Sequence, residues 1–188
     1  DSSGDTDLEE YAVKLDWSIN GNHRAGLRYS NLEQSKLRVN GVNSTQISLS
    51  SYWYQHAKSV ESYVGQLFSD WSDTFSTEFK VSYRDYPAER LTPTTAPSVR
   101  IYFGGTEAAP SGDSLFVGTE VNSHQNALYT ETWNAFGAGS LALGDHELKF
   151  GFDYSDNAIY NIYGPQLYGV YEFWGLDNYA AGKWTNYT

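Results

Sequence analysis

"FSTEFKVSYR" occupies residues 75–84. Phe75, Thr77, Phe79, Val81 and Tyr83 alternate there with Ser76, Glu78, Lys80, Ser82 and Arg84. A β-strand sends successive side chains to opposite faces. One face of this segment is therefore apolar and aromatic, and the other polar or charged throughout. The pattern specifies a strand. It leaves open what covers the apolar face, since a protein core and a lipid bilayer ask for the same alternation.

The period of two recurs along the chain. Val13, Leu15, Trp17 and Ile19 alternate with Ala12, Lys14, Asp16 and Ser18. Leu27 and Tyr29 flank Arg28, and Leu148, Phe150, Phe152 and Tyr154 flank Lys149, Gly151 and Asp153. Residues 46–55, 60–71 and 127–143 are strand-like with weaker alternation. No long helical pattern is present, so the expected class is all-β: an antiparallel up-and-down meander of about six strands.

The connections are of two kinds. Residues 19–23, 71–75 and 143–146 are short and built from Asn, Asp and Gly, which suit tight hairpins. Residues 33–45 and 87–114 read as long polar loops, the second extending to about residue 122 and holding four of the 5 prolines. Short turns alternating with long loops match a transmembrane β-barrel, with turns on the periplasmic side and loops outside.

Composition narrows the function. The net charge of −11 argues against nucleic acid, because neutralising phosphates needs a basic surface. There are no cysteines, which excludes disulfides and Cys-ligated metals. No run of eighteen apolar residues occurs, so no transmembrane helix is expected. The 16 Tyr, 9 Phe and 6 Trp are abundant beside only 12 Lys and Arg. Trp17, Trp71 and Phe75 lie next to short turns, where an interfacial aromatic girdle belongs.

Four segments carry a resemblance. They are "LDWSINGNHRAGLRYSN", "YVGQLFSDWSDTFSTEFKVSYRDY", "TETWNAFGAGSLALGDHELKFGFDYSDNAIYN" and "YGVYEFWGLDNYAAGKW". In this order they resemble successive barrel segments of TonB-dependent outer-membrane receptors, nearest to the Oar-like group whose plug follows a carboxypeptidase-regulatory-like domain. The likeness covers roughly residues 8–187. It implies a Gram-negative outer-membrane location and energy-coupled uptake of a large solute, driven through the TonB complex. Such receptors have 22 strands and a plugged lumen. Six strands and no plug domain make residues 1–188 a slice of the barrel, a fragment or a part of a longer protein.

On this reading Val13, Leu15, Trp17, Leu27, Tyr29, Phe75, Phe79, Val81, Tyr83, Leu148, Phe150 and Phe152 face lipid. Lys14, Asp16, Arg28, Glu78, Lys80, Arg84, Lys149 and Asp153 face the lumen or plug. The expected partners are outer-membrane lipid, the plug and remaining strands of the receptor, and the TonB complex. Open strand edges also favour self-association. Two rival readings stand beside it: a soluble β-sandwich that stacks Tyr and Trp on sugars, and a self-assembling extracellular surface or fibre protein.

Nothing in the chain assembles a catalytic or cofactor motif, so neither enzyme activity nor a cofactor is expected. His23, His56, His124 and His146 lack metal-ligand spacing and read as turn or surface residues. Asp1, Asp5 and Asp7 are close enough in sequence to raise calcium, but the EF-hand Gly and Glu positions are missing, which favours a solvated acidic segment. Tyr102 and Phe103, in the longest loop, are the candidates for contact with a ligand or partner.

Overall fold

The computed structural model describes residues 6–188. Asp1 and Asp5 lie outside the described residues. Six long strands form one sheet: β1 (Thr6–Ser18), β2 (His23–Arg38), β4 (Tyr54–Ser72), β5 (Phe75–Leu91), β8 (Gln125–Leu143) and β9 (His146–Gly164). Each pairs antiparallel with its neighbour in that order. This is the expected meander. The numbers skip because β3 (Gln46–Ser48), β6 (Ser98–Thr106), β7 (Ala109–Val117), β10 (Val170–Trp174) and β11 (Asn186–Tyr187) belong to a second sheet.

The three hairpin turns all sit at one end of the wall. The long connections all sit at the other, and they are not loose. They assemble into the second sheet, of order β11-β10-β6-β7-β3. Its β10–β6 and β3–β7 pairs are parallel, because strands from different connections run alongside each other. A six-residue helix, α1 (Gly175–Ala180), follows β10. Backbone bonds such as Ser98 N–H to Gly169 O at 3.0 Å and Leu49 N–H to Phe116 O at 3.0 Å join one connection to another. We call this layer the cap.

Two expectations are corrected. Residues 87–114 are not a plain polar loop: β5 runs on to Leu91, and the β6–β7 hairpin fills the rest. Residues 33–38 likewise belong to β2. The reason is physical. Where both faces of a strand are wet, hydropathy stops alternating although the backbone ladder continues.

The buried core lies in the cap and at its base. Ile101 has no exposure, and Tyr52, Tyr54 and Phe173 are buried. The wall is a single layer, and β1 is exposed from end to end. Trp17 is 66% exposed and Leu15 65%. A lone sheet bearing this much apolar surface is incomplete without a second apolar phase against it.

Candidate functional site

The register sorts the wall into two faces. Residues directly opposite across a ladder share a face. Trp17, Ala25, Leu67, Phe79, Gly137 and Phe152 form one continuous row across six strands. Leu15, Leu27, Gly65, Val81, Ala135 and Tyr154 form the next. All twelve apolar residues singled out above fall on this aromatic face. Asp16, Gly26, Gln66, Lys80, Phe136 and Asp153 form a row on the opposite, charged face. All eight polar residues singled out above fall there.

The register adds what short windows of sequence hide. The wall carries ten of the chain's Lys and Arg residues: Lys14, Arg24, Arg28, Lys36, Arg38, Lys58, Lys80, Arg84, Arg90 and Lys149. Every one lies on the charged face. The aromatic face has none.

Near the hairpins the aromatic face is uncharged. Trp71 sits where the β4–β5 pairing slips between Asp70 and Ser72. Its indole N–H donates to Thr77 Oγ1 at 2.8 Å, which holds the ring over this face, and His23 packs edge-on at 5.0 Å. Farther along, a row of rings crosses the sheet. Tyr29 and Tyr63 are 4.9 Å apart, Tyr63 and Tyr83 6.4 Å, and Tyr83 and Trp133 4.7 Å. The Tyr29 and Tyr63 hydroxyls both donate to Glu61, at 2.9 and 2.8 Å. Glu61 lies one row nearer the cap, so the rings point their polar tips away from the apolar band. Its row continues through Asp85 and Glu131. From here to the cap the same face is acidic, with Glu9, Glu33 and Glu89 beyond.

The cap docks on the charged face. Arg90 reaches from β5 to Glu120 at 3.8 Å and lies over the Tyr54 ring at 5.0 Å. Glu120 accepts from Ser123 Oγ at 2.6 Å and from the Asn122 backbone N–H at 3.1 Å. His124 corrects its expectation as a turn or surface residue, since it is buried. Its Nδ1 accepts the Tyr168 backbone N–H at 2.9 Å, its Nε2 faces Thr119 O at 3.4 Å, and its ring stacks on Tyr168. Burial lowers its pKa, opposed by the Thr119 carbonyl and Glu120. A neutral ring suits an Nδ1 that must accept.

Tyr102 and Phe103 lie on the cap's rim. The β6–β7 register slips between Tyr102 and Gly104, so two successive residues line the same shallow cup with Trp174, Leu176, Asp177 and Asn178. The Tyr102 hydroxyl donates to Glu172 at 3.1 Å, and burial with that carboxylate raises its pKa. Arg100 stacks between the Tyr102 and Phe116 rings.

The family model for an outer membrane beta barrel domain matches residues 1–187. The chain belongs to that family. No curated protein and no solved structure matches it. It is an all-β chain of the bacterial outer membrane, and the six-stranded sheet is barrel wall. Among the described residues no helix is long and apolar enough to cross a membrane, which is no bar to a protein that crosses with strands. No cluster of His, Cys, Asp or Glu suited to a metal occurs among them.

Proposed function

We propose that this chain forms part of the wall of an Oar-like TonB-dependent receptor, with its aromatic face on lipid and its charged face on the lumen and plug. One observation carries the orientation: all ten cations of the wall stand on one face. A Lys or Arg facing the bilayer midplane costs ~2–4 kcal/mol. A soluble sheet clears cations only from a face it packs on a core, whereas Leu15 and Trp17 of this face are left bare by the rest of the fold.

Dimensions support it. Tyr63 and Trp71 lie eight residues apart on β4. At ~3.3 Å per residue that is about 26 Å along the strand. Tilted by ~35–45°, it gives a height near 20 Å, close to the ~25 Å apolar band of such barrels. The 19 residues of β4 exceed the ~9–11 needed to cross. The excess lifts the acidic rows and the cap into the medium. Six strands are fewer than the smallest bacterial barrels use, so the wall closes with further strands along the free edges of β1 and β9.

Uptake of a large solute rests on the resemblance and on the cap. The cap leans over the lumen-side face and presents Tyr102 and Phe103 on its rim, where an arriving solute meets them. No catalytic step belongs to this reading. Two measurements test it. Nitroxides at Val13, Val81 and Phe152 in the native barrel are expected to collide with oxygen, and those at Lys14, Lys80 and Asp153 with a soluble nickel chelate. The opposite pattern reverses the wall. Solute uptake by cells carrying the receptor is expected to stop when TonB is deleted. Uptake that continues removes energy coupling.

A further inference from the structure

The cations of the charged face are unevenly partnered along the wall. In the hairpin half they stand among carboxylates of the same face. Lys14 pairs with Asp16 at 2.8 Å and Lys149 with Glu147 at 3.2 Å. Past the ring row the balance changes. From there to the cap this face of the wall carries Lys36, Arg38, Lys58, Arg84 and Arg90, with Glu10 as its one carboxylate among the described residues. The aromatic face of the same stretch holds seven carboxylates, Asp7 and the six named above, and no cation. This part of the wall is charged oppositely on its two sides.

Four of the cations converge. Lys36, His56 and Arg90 stand side by side across β2, β4 and β5. Arg38 lies two residues past that row toward the cap, and Lys58 two residues toward the hairpins. At ~3.3 Å per residue and ~4.8 Å between strands, the patch measures about 13 Å by 10 Å. Arg90 has Glu120 within reach, at 3.8 Å. Lys36, Arg38 and Lys58 have no ion pair among the described residues. None of the three is buried. His56 feels their field: burial lowers its pKa, and Lys58, Arg38 and Arg90 lower it further.

We propose that this patch holds a solute bearing several anionic groups, carboxylates or phosphates, at the mouth of the lumen beneath the cap. The inference rests on the reading that the charged face lines the lumen, and deepens it by naming the chemistry of the solute. Like charges facing one another across strands destabilise a sheet. The chain has acids enough to neutralise them, at a net charge of −11, and sets those acids on the other face. The counter-charge therefore arrives from outside the wall. A recess lined by one sign of charge concentrates ions of the opposite sign. Size selects among them. A single small anion meets one or two of these side chains, whereas anionic groups spread over about 10 Å meet them all.

The test measures binding of hexaglutamate, labelled with an uncharged dye, to the intact receptor by fluorescence anisotropy, beside hexaglutamine with the same label. Hexaglutamate is expected to bind roughly tenfold tighter, the scale of three partly exposed ion pairs together. The margin should shrink as salt rises. Lys36→Gln, Arg38→Gln and Lys58→Gln together are expected to remove it. Lys14→Gln, Lys80→Gln and Lys149→Gln together take the same charge from the hairpin end of the same face. They are expected to leave the margin within about twofold, because exposed charges beyond a Debye length are screened. Tricarballylate or tripolyphosphate is expected to displace hexaglutamate, and the one that acts at lower concentration tells carboxylate from phosphate. Equal binding of the two peptides, equal loss in the two triple variants, or displacement by neither anion overturns the proposal. Equal binding is also what a plug seated permanently on the patch gives. A nitroxide at Lys80 separates the two levels. Oxygen access there fails the lumen-facing reading itself, whereas nickel access with equal peptide binding fails only the anion seat.

Discussion

The hairpin half of the wall and the cap half are built on the same strands and obey opposite rules. In the hairpin half one face carries Trp17, Phe79, Phe150 and Phe152 and no charge, and nothing among the described residues covers it. In the cap half the same face turns acidic, and burial moves to a separate layer around Ile101 and Phe173. The backbone ladder does not change between them. On the proposed orientation, what changes is the solvent. Where the surrounding phase is apolar, the wall needs no core, because lipid takes that role. Where it is water, the chain must build a core of its own, and it does so from its loops.

The comparison breaks first at Ile101. Ile101→Ala removes buried atoms from the cap and is expected to cost about 2–5 kcal/mol there. Amide exchange should rise across residues 98–117 and stay slow in β4 and β5. If the wall amides open equally, the two halves are one cooperative unit. Next comes a paired substitution on one face of the wall. Phe79→Arg is expected to destabilise the barrel by about 2–4 kcal/mol in a bilayer refolding titration, if residue 79 lies near the midplane. Tyr129→Arg, on the same face beyond the ring row, should cost far less, since it meets water and a neighbouring Glu89. Equal costs would erase the boundary between the halves. A smaller effect sharpens that boundary's hairpin side. Trp71→Phe removes the bond to Thr77 and should cost about 0.5–1.5 kcal/mol in the same titration. No change would make the bond incidental to the girdle.

These contrasts were unequally legible in the sequence. Residues 75–84 announce both strand and face because their hydropathy alternates along the whole segment. The three hairpins are legible because Asn, Asp and Gly carry turn chemistry locally. The outer stretches of β2 and β5 are not, because residues 33–38 and 87–91 lose the regular alternation of polar and apolar side chains. Pro87 adds a false stop: it pairs with Tyr129 within the β5–β8 ladder. The cap is least legible of all. Its parallel pairs join residues 46–48 to 114–116 and 98–102 to 170–174, and no local window contains both partners. The clearing of cations from one face was written in the sequence throughout. It becomes visible only when the register says which residues of six strands stand together.

The smallest effect lies at His124, where one side chain ties the segment after β9, through Tyr168, to the long connection between β5 and β8. Burial lowers the folded-state pKa below the ordinary value, so the folded cap favours the neutral ring. The unfolded chain then binds a proton more readily than the folded one. By linkage the stability of this contact is full above the unfolded pKa and declines as pH falls from there toward the lowered folded value. The direction also follows from geometry: a protonated Nδ1 becomes a donor facing the Tyr168 N–H, itself a donor. Glu120 and Arg90 stand nearby. The carboxylate favours the protonated ring, but Arg90 already lies 3.8 Å from it, which weakens that pull. Amide exchange at Tyr168, corrected for the intrinsic pH dependence, should therefore rise relative to its neighbours between pH 7.5 and pH 5. His124→Gln should flatten that rise, because an amide at this position does not titrate. The wall amides should not respond in either protein, since the ladder of β4 and β5 makes no use of the ring. A pH response shared by wall and cap would place the titrating group elsewhere. A response confined to the cap would show that the cap loosens by itself while the hairpin half of the wall stays closed.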